Sequence, residues 1–67
     1  MVENGWVIQR DDGAFFRGVV RDIKVFNKSI RNAFIYCNEN LAKEEISYSD
    51  LHSCKVLKVE IKVVQEW

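Results

Sequence analysis

The final third of the chain carries a pattern that strongly restricts its fold. Apolar and charged residues alternate there, with Leu57, Val59, Ile61 and Val63 separated by Lys58, Glu60 and Lys62. Because successive side chains of a β-strand point to opposite faces, this pattern predicts a strand over residues 54–66 with one apolar and one charged face. The strand would be about twice the usual length of five or six residues, so it could outrun its neighbours and pair with a second copy.

A hairpin is predicted near the other end of the chain, where strands at 6–10 and 14–21 flank Asp11-Asp12-Gly13. A two-residue turn at Asp12-Gly13 would place Ile8 opposite Arg17. A three-residue loop with Gly13 in the left-handed region pairs Arg10 with Ala14, Ile8 with Phe16 and Trp6 with Gly18. We favour the three-residue loop, because it gathers one apolar face for a core, formed by Trp6, Ile8, Phe16 and Val20.

The favoured register leaves other apolar residues on the opposite face of the hairpin. Val7, Phe15 and Val19 fall there, beside Arg17 and Arg21. A chain with one good helix covers only one face of its sheet, so part of this second face is expected to stay exposed.

The middle of the chain predicts two short elements and one clear helix. Residues 27–33 suggest a single helical turn capped by Asn27, and residues 34–37 suggest a short third strand. Residues 22–26 fit either an extension of the second strand or a loop. Asn38 then caps a helix over residues 39–48, with Glu39 in its first turn. The apolar side of this helix contains Leu41, Ala42 and Ile46, and Tyr48 can join it.

The order of these elements favours the α+β class. We expect an antiparallel sheet of about four strands with one amphipathic helix packed on one face, in the order β-β-β-α-β. The 67 residues form a single small domain, 1–67, and leave no room for a second core.

Composition argues against several classes of protein. Ten basic and ten acidic residues balance, so the basic excess typical of nucleic-acid binders is missing. The apolar runs are too short to span a membrane, and Met1-Val2-Glu3-Asn4 does not begin a signal peptide. Cys37 and Cys54 are too few for a secreted disulfide framework, so both are expected to be reduced. These features predict a cytoplasmic protein.

The sequence contains no recognisable motif for catalysis or metal binding. His52 lies two residues from Cys54, and in an extended segment the two side chains could touch, but no third group orients them. Cys37, at the end of a predicted strand, is expected to be a small core residue. The paired Cys and His spacings of a zinc site are absent, and Asp11 and Asp12 are explained as turn formers. We therefore predict no enzymatic activity, no cofactor and no metal.

Aromatic and arginine residues along the second strand mark a candidate partner-binding site. It comprises the outer face of the hairpin and its loop: Phe15, Arg17, Val19, Arg21, Asp11 and Asp12. Such a surface suits single-stranded nucleic acid, whose bases stack on rings above a basic groove. It also suits a protein, because aromatic residues and Arg are enriched at interface hot spots. The zero net charge favours the protein. A self-assembling structural role, through a homodimer on the final strand, is a third alternative, and Trp67 fits either a cover over the sheet end or an exposed anchor.

Several segments resemble small uncharacterised proteins of bacteriophages and prophages of Gram-positive bacteria. They are Trp6-Val7-Ile8, Asp12-Gly13 with Phe15-Phe16, Asn32-Ala33-Phe34-Ile35-Tyr36, Ala42, and Lys55-Val56-Leu57-Lys58-Val59-Glu60-Ile61. These are mainly core and turn positions, so the resemblance carries over no functional residues, and Cys37 and the Arg17/Arg21 face depart from the pattern. The resemblance implies a protein of the host-cell cytoplasm that binds a bacterial host protein stoichiometrically. Such binding would inhibit or modulate a replication, transcription or defence protein, anti-CRISPR action included.

Overall fold

The structure, a computed structural model, describes residues 2–62. Within them the chain forms β1 (Val2–Arg10), β2 (Phe15–Val20), β3 (Ile23–Asn27), a 3-10 turn (Ile30–Asn32), α1 (Glu39–Tyr48) and β4 (Cys54–Lys62). The strands make one antiparallel sheet in the order β3-β2-β1-β4, which confirms the predicted α+β fold. The predicted end of the final strand, including Val63, and the terminal Trp67 lie outside the described residues. No helix in the described part of the chain has the length and apolar character needed to cross a bilayer.

The loop between β1 and β2 has the three-residue form. The amide of Arg10 donates to the carbonyl of Ala14 at 2.7 Å, and the amide of Gly13 donates to the carbonyl of Arg10 at 2.9 Å. Gly13 has a φ of 94°, which glycine adopts without a steric penalty. Gln9 then lies opposite Phe15, as the favoured register requires. The predicted loop is confirmed.

Further from this loop, β1 and β2 are joined by residues 34–36, which we call the bridging segment. The amide of Phe34 donates to the carbonyl of Phe16 at 3.0 Å, while Trp6 and Tyr36 exchange two backbone hydrogen bonds of 3.0 and 2.8 Å. Trp6 therefore pairs with Tyr36, and its predicted pairing with Gly18 is wrong. The predicted strand at 34–37 is wrong as well, since it is reduced to this one bridge. The third strand is β3, in the segment whose pattern was ambiguous.

A β-bulge in β2 changes which side chains face the helix. Phe16 pairs with Phe26 and Gly18 pairs with Val25, so Arg17 is an extra residue on its strand. Gly18 has a φ of 139°, a backbone conformation that other residues rarely adopt. The extra residue shifts the alternation of β2, so Val19 moves to the helix side and Val20 to the opposite face. The expectation that Val20 joins the core is therefore wrong, and 59% of Val20 is exposed.

The turn between β2 and β3 has two residues, Arg21 and Asp22. Their φ angles are 51° and 65°, which is the pattern of a type I′ turn. This turn matches the right-handed twist of the flanking strands and is most often built from Asn-Gly. Here Arg21 disfavours positive φ and Asp22 adopts it less readily than glycine, so the local sequence does not predict the turn.

The main core lies between α1 and one face of the sheet. Its buried members are Ile8, Phe16, Tyr36, Ala42 and Leu51, with Trp6, Phe26, Ile46, Cys54 and Val56 packed around them. The helix begins as predicted, because the side chain of Asn38 accepts a hydrogen bond of 2.8 Å from the amide of Leu41. Of the predicted apolar side of α1, Ala42 and Ile46 pack on this core, whereas Leu41 and Tyr48 are exposed. The 3-10 turn is capped by Ser29 rather than by the predicted Asn27.

The apolar side of β4 lies on the face of the sheet that α1 does not cover, which we call the reverse face. Leu57 is opposite Val7, and Val59 is opposite Gly5. Val7 is fully buried. Ile35 packs over this face at Gly5, where an added Cβ would lie 2.6 Å from its Cγ2. The reverse face is therefore partly covered by Ile35, although α1 packs on the other face of the sheet.

Candidate protein-binding surfaces

The residues predicted to bind a partner do not form one surface. Phe15 is half-buried on the reverse face, and the bulge carries Val19 to the helix side. Arg17 is exposed and lines a shallow depression with Gly18, Val20 and Val25. Arg21 occupies the exposed turn at the tip of the second hairpin. The bulge therefore divides the predicted hairpin face, and the apolar neighbours of Arg17 are valines rather than an aromatic ring.

Asp12 is occupied by contacts within its own loop. Its carboxylate accepts hydrogen bonds of 3.0 and 2.8 Å from the Arg10 guanidinium and one of 3.1 Å from the amide of Ala14. Lys28 Nζ lies 3.6 Å from Asp12 Oδ2. These contacts hold the pKa of Asp12 well below its usual range, and the hydrogen bond from Arg10 is the largest cause. Asp12 therefore shapes the hairpin loop, while Asp11 beside it is exposed.

A groove between α1 and the bridging segment gathers exposed aromatic side chains. We call it the aromatic groove; its lining is Phe34, Tyr36, Leu41, Glu44, Glu45 and Tyr48, and its volume is ≈ 420 Å³. Tyr48 is 91% exposed, Phe34 50% and Leu41 42%. The rings of Phe34 and Tyr36 pack with their centroids 4.6 Å apart, which fixes one wall of the groove.

The rim of the aromatic groove is acidic and partly held in place. Glu45 accepts a hydrogen bond of 2.9 Å from the hydroxyl of Ser49 and one of 3.5 Å from the hydroxyl of Tyr36. Burial, together with the nearby Glu45 carboxylate, raises the pKa of Tyr36, so its phenol stays neutral. Lys43 Nζ lies 2.7 Å from Glu39 Oε1, one turn away along the helix, so this lysine pairs with a residue that does not line the groove. The carboxylates of Glu44 and Glu45 therefore give the groove a negative rim.

A second depression continues from the aromatic groove towards the tip of the β2–β3 hairpin. It is lined by Val19, Asp22, Lys24, Glu45, Tyr48 and Ser49 and has a volume of ≈ 450 Å³. Lys24 is held across it by a hydrogen bond of 2.9 Å from its Nζ to the carbonyl of Asp50. Because the two depressions share Glu45 and Tyr48, one surface runs along both sides of Tyr48 and includes Val19 of the predicted site.

Part of the aromatic groove was readable in the sequence. Leu41, Glu44, Glu45 and Tyr48 follow the spacing of one helix stripe, separate from the stripe of Ala42 and Ile46. The apolar pattern alone places Leu41 on the core side, which merges the two stripes. Phe34 carries no comparable local signal, because its place beside α1 depends on the hydrogen bond from its amide to the carbonyl of Phe16 in β2.

The thiols and the single histidine do not form a nucleophilic pair. The thiol of Cys54 donates to the carbonyl of His52 at 3.3 Å, while the imidazole Nε2 lies 3.2 Å from Asp50 Oδ1. Burial raises the pKa of the Cys54 thiol, which lowers its thiolate fraction. Cys37 is exposed, so its expected place in the core is wrong. Across residues 2–62, no group of three or more His, Cys, Asp or Glu side chains converges in a way that could hold a metal ion.

Comparisons with protein-family models, with curated proteins and with solved structures give no match to this chain. Its function is therefore inferred from the chemistry of these surfaces.

Proposed function

We propose that this protein is a stoichiometric protein-binding module and that the aromatic groove is its docking site. The observation that carries the proposal is the almost fully exposed ring of Tyr48 beside the half-exposed Phe34 and Leu41. A single exposed apolar residue is ordinary on a protein surface, whereas a cluster around one depression marks a binding site. Tyrosine is also among the residues most enriched at interface hot spots.

The groove fits a segment of another protein that places a bulky apolar side chain next to Lys or Arg. The apolar side chain would contact Phe34, Leu41 and Tyr48, and the cation would reach the carboxylate of Glu44. Helix α1 carries three glutamates against one lysine, which is a net charge of −2. Opposite charge at the rim orients an approaching partner and speeds association.

The partner in this proposal is a bacterial host protein, met in the host cytoplasm. This context comes from the resemblance to phage and prophage proteins, which implies stoichiometric binding to a replication, transcription or defence protein. A complex that covers the working surface of such a protein is sufficient to inhibit or modulate it.

A displayed library of random peptides tests the chemistry of the groove. Selected peptides are expected to share a bulky apolar residue next to Lys or Arg. They should bind Tyr48→Ala about tenfold more weakly than the wild type, as the loss of a hot-spot ring predicts. Ser47→Ala, at an exposed position of the same helix outside the groove, is the matched control and should bind equally well. Equal binding by Tyr48→Ala would overturn the assignment of the groove.

Capture from a bacterial lysate compares the groove with the hairpin surface predicted from the sequence. The baits are the wild type, Tyr48→Ala and Arg17→Glu, each checked for an unchanged circular dichroism spectrum. A partner lost only with Tyr48→Ala, and bound directly when purified, supports the groove. A partner lost only with Arg17→Glu moves the site to the hairpin. Capture that disappears after nuclease treatment and falls steeply with salt would assign the protein to single-stranded nucleic acid instead.

We also propose that the protein associates with itself through β4. This strand lies at the edge of the sheet and pairs only with β1 among the described residues. A long edge strand offers a row of backbone donors and acceptors to another chain. Size exclusion with light scattering should therefore give twice the chain mass of 7.9 kDa. A strict monomer at high concentration would remove this part of the proposal and leave the groove unaffected.

A further inference from the structure

Strand β4 has an outer edge whose backbone directions follow from its neighbour β1. Trp6 turns both backbone groups towards Tyr36, with N–O distances of 3.0 and 2.8 Å, on the side away from β4. Lys58 lies opposite Trp6, so these two form a non-hydrogen-bonded pair. The backbone groups of Lys58 therefore point to the outer edge, and the two-residue repeat of a strand gives Val56, Glu60 and Lys62 the same direction.

This outer edge is open within residues 2–62. The sheet ends at β4, and no backbone hydrogen bond from another described element reaches the strand on that side. A row of unpaired backbone groups is the template to which a further strand binds. The side chains along the strand then decide which strand fits and in which register.

We infer that two copies of the chain pair antiparallel through β4 with Val59 on the two-fold axis, an inference that rests on the proposed self-association. In this register Leu57 lies opposite Ile61 of the second copy, and Val59 lies opposite its own equivalent. On the other face of the strand, Lys58 lies opposite Glu60 of the second copy. Apolar side chains thus meet on the reverse face and opposite charges meet on the helix side, and directly opposed pairs of both kinds stabilise a sheet.

Neighbouring registers lack this complementarity. Centring the pair on Lys58 opposes that lysine to itself, and centring it on Glu60 opposes two glutamates and sets Lys58 against Lys62. A shift by a single residue opposes Lys58 to Val59 and mixes the two faces. Centring on Ile61 keeps Glu60 opposite Lys62 but sets the apolar Leu57 against the polar Gln65.

The pairing has a geometric consequence for the aromatic groove. Directly opposed residues of an antiparallel pair lie on the same face, so the two copies form one continuous sheet with both α1 helices on one side. Both aromatic grooves then open on that same side of the dimer. A partner with two copies of the matching segment would gain from binding both grooves at once.

Disulfide trapping tests the register in a background of Cys37→Ser and Cys54→Ser. The backbone groups of Val59 face β1, so Val59 and its equivalent in the second copy would form a non-hydrogen-bonded pair. The Cα atoms of such a pair lie about 4.5 Å apart, within reach of a disulfide. Val59→Cys is therefore expected to form a covalent dimer under mild oxidation. Ile61→Cys is the matched control, because the two Cα atoms at this position would be offset by four residues, about 13 Å along the strand. Trapping of Ile61→Cys but not Val59→Cys would overturn the register.

Charge reversal tests the same register without introducing a thiol. Lys58→Glu should weaken dimerisation roughly tenfold, because two attractive pairs become repulsive. Adding Glu60→Lys to Lys58→Glu should restore the wild-type dimer. Within one copy these residues lie opposite Trp6 and Asn4, which carry no charge, so the fold itself is little affected. A double variant as weak as Lys58→Glu would overturn the register while self-association stands, and a monomeric wild type would overturn both.

Discussion

Trp6 and Tyr36 exchange both of their backbone hydrogen bonds, at 3.0 and 2.8 Å, although they lie far apart in the chain. This bridge holds a segment without regular structure between β1 and β2. It buries Tyr36 in the core and leaves Phe34 half exposed against α1. The bridge therefore connects the packing of the sheet to the shape of the aromatic groove.

Tyr36 should contribute to stability through its ring rather than through its hydroxyl. Tyr36→Ala should lower the free energy of unfolding by about 3 kcal/mol, as expected for removal of a buried aromatic side chain. Tyr36→Phe should cost less than about 1 kcal/mol, because the hydroxyl makes a long hydrogen bond of 3.5 Å to Glu45. Urea unfolding followed by circular dichroism measures both changes. Equal losses in the two variants would contradict the assignment.

Gly5 should not accept a side chain. In Gly5→Ala the new Cβ would lie 2.6 Å from Ile35 Cγ2 and 2.9 Å from Ile61 Cδ1, so the free energy of unfolding should fall by about 1–3 kcal/mol. Ile35→Ala removes the closer of these two atoms. Gly5→Ala should therefore cost less in the Ile35→Ala background than in the wild type. Thermal unfolding of the four proteins in this double-mutant cycle measures the coupling. Strict additivity would show that the two residues do not touch.

The turn at Arg21 and Asp22 should be open to stabilisation. Both residues have positive φ, a conformation that costs of order 1 kcal/mol for residues other than glycine. Arg21→Asn with Asp22→Gly supplies the preferred type I′ sequence and should raise the unfolding free energy by about 1 kcal/mol. Asp11→Gly, in the other hairpin loop, is the control; Asp11 does not have positive φ, so this change should give no gain. A loss of stability in the Asn-Gly variant would contradict the type I′ geometry.

The contribution of Asp12 to stability should disappear in acid. Its folded-state pKa lies below the ordinary value, because of the Arg10 hydrogen bond first and the Ala14 amide second. The contribution is therefore complete above about pH 4 and is lost as the pH falls through the folded-state value. Asp12→Asn keeps the turn-forming shape but loses the charge, so its urea midpoint should fall below that of the wild type at pH 7 and approach it at pH 3.

Arg10→Gln is the companion variant for this acid dependence. It removes the largest cause of the pKa shift while Asp12 remains, so its unfolding curve should lose part of the same pH dependence. Midpoints that run parallel to the wild type from pH 7 to pH 3 in both variants would show that the Arg10–Asp12 pair does not act on stability.

The elements that could be predicted from the sequence are those specified by local interactions. Helix α1 agrees with its prediction, because the cap at Asn38 and the spacing of Ala42 and Ile46 act within a few residues. The first hairpin loop follows from the sequence because only the three-residue form sets Trp6, Ile8 and Phe16 on one apolar face. Strand β3 does not follow from the local pattern, because its turn lacks the usual residues and because the bulge at Arg17 breaks the alternation.

The candidate site was harder to predict, because its parts meet through contacts between distant segments. A regular strand puts Phe15, Arg17 and Val19 on one face, and one extra residue is enough to separate them. The aromatic groove joins Phe34 to Tyr48 across the bridge at Tyr36, and no pattern within either segment reports that contact.

The bulge at Arg17 also bears on how the hairpin could change by insertion and deletion. Loss of this one codon would restore a regular alternation in β2, because Gly18 would then follow Phe16 directly and keep its partner Val25. Val19 would still pair with Lys24 on the helix side, and Val20 would still pair with Ile23 on the reverse face. The tip of this hairpin is thus a place where a change in chain length is absorbed without a change in the character of either surface.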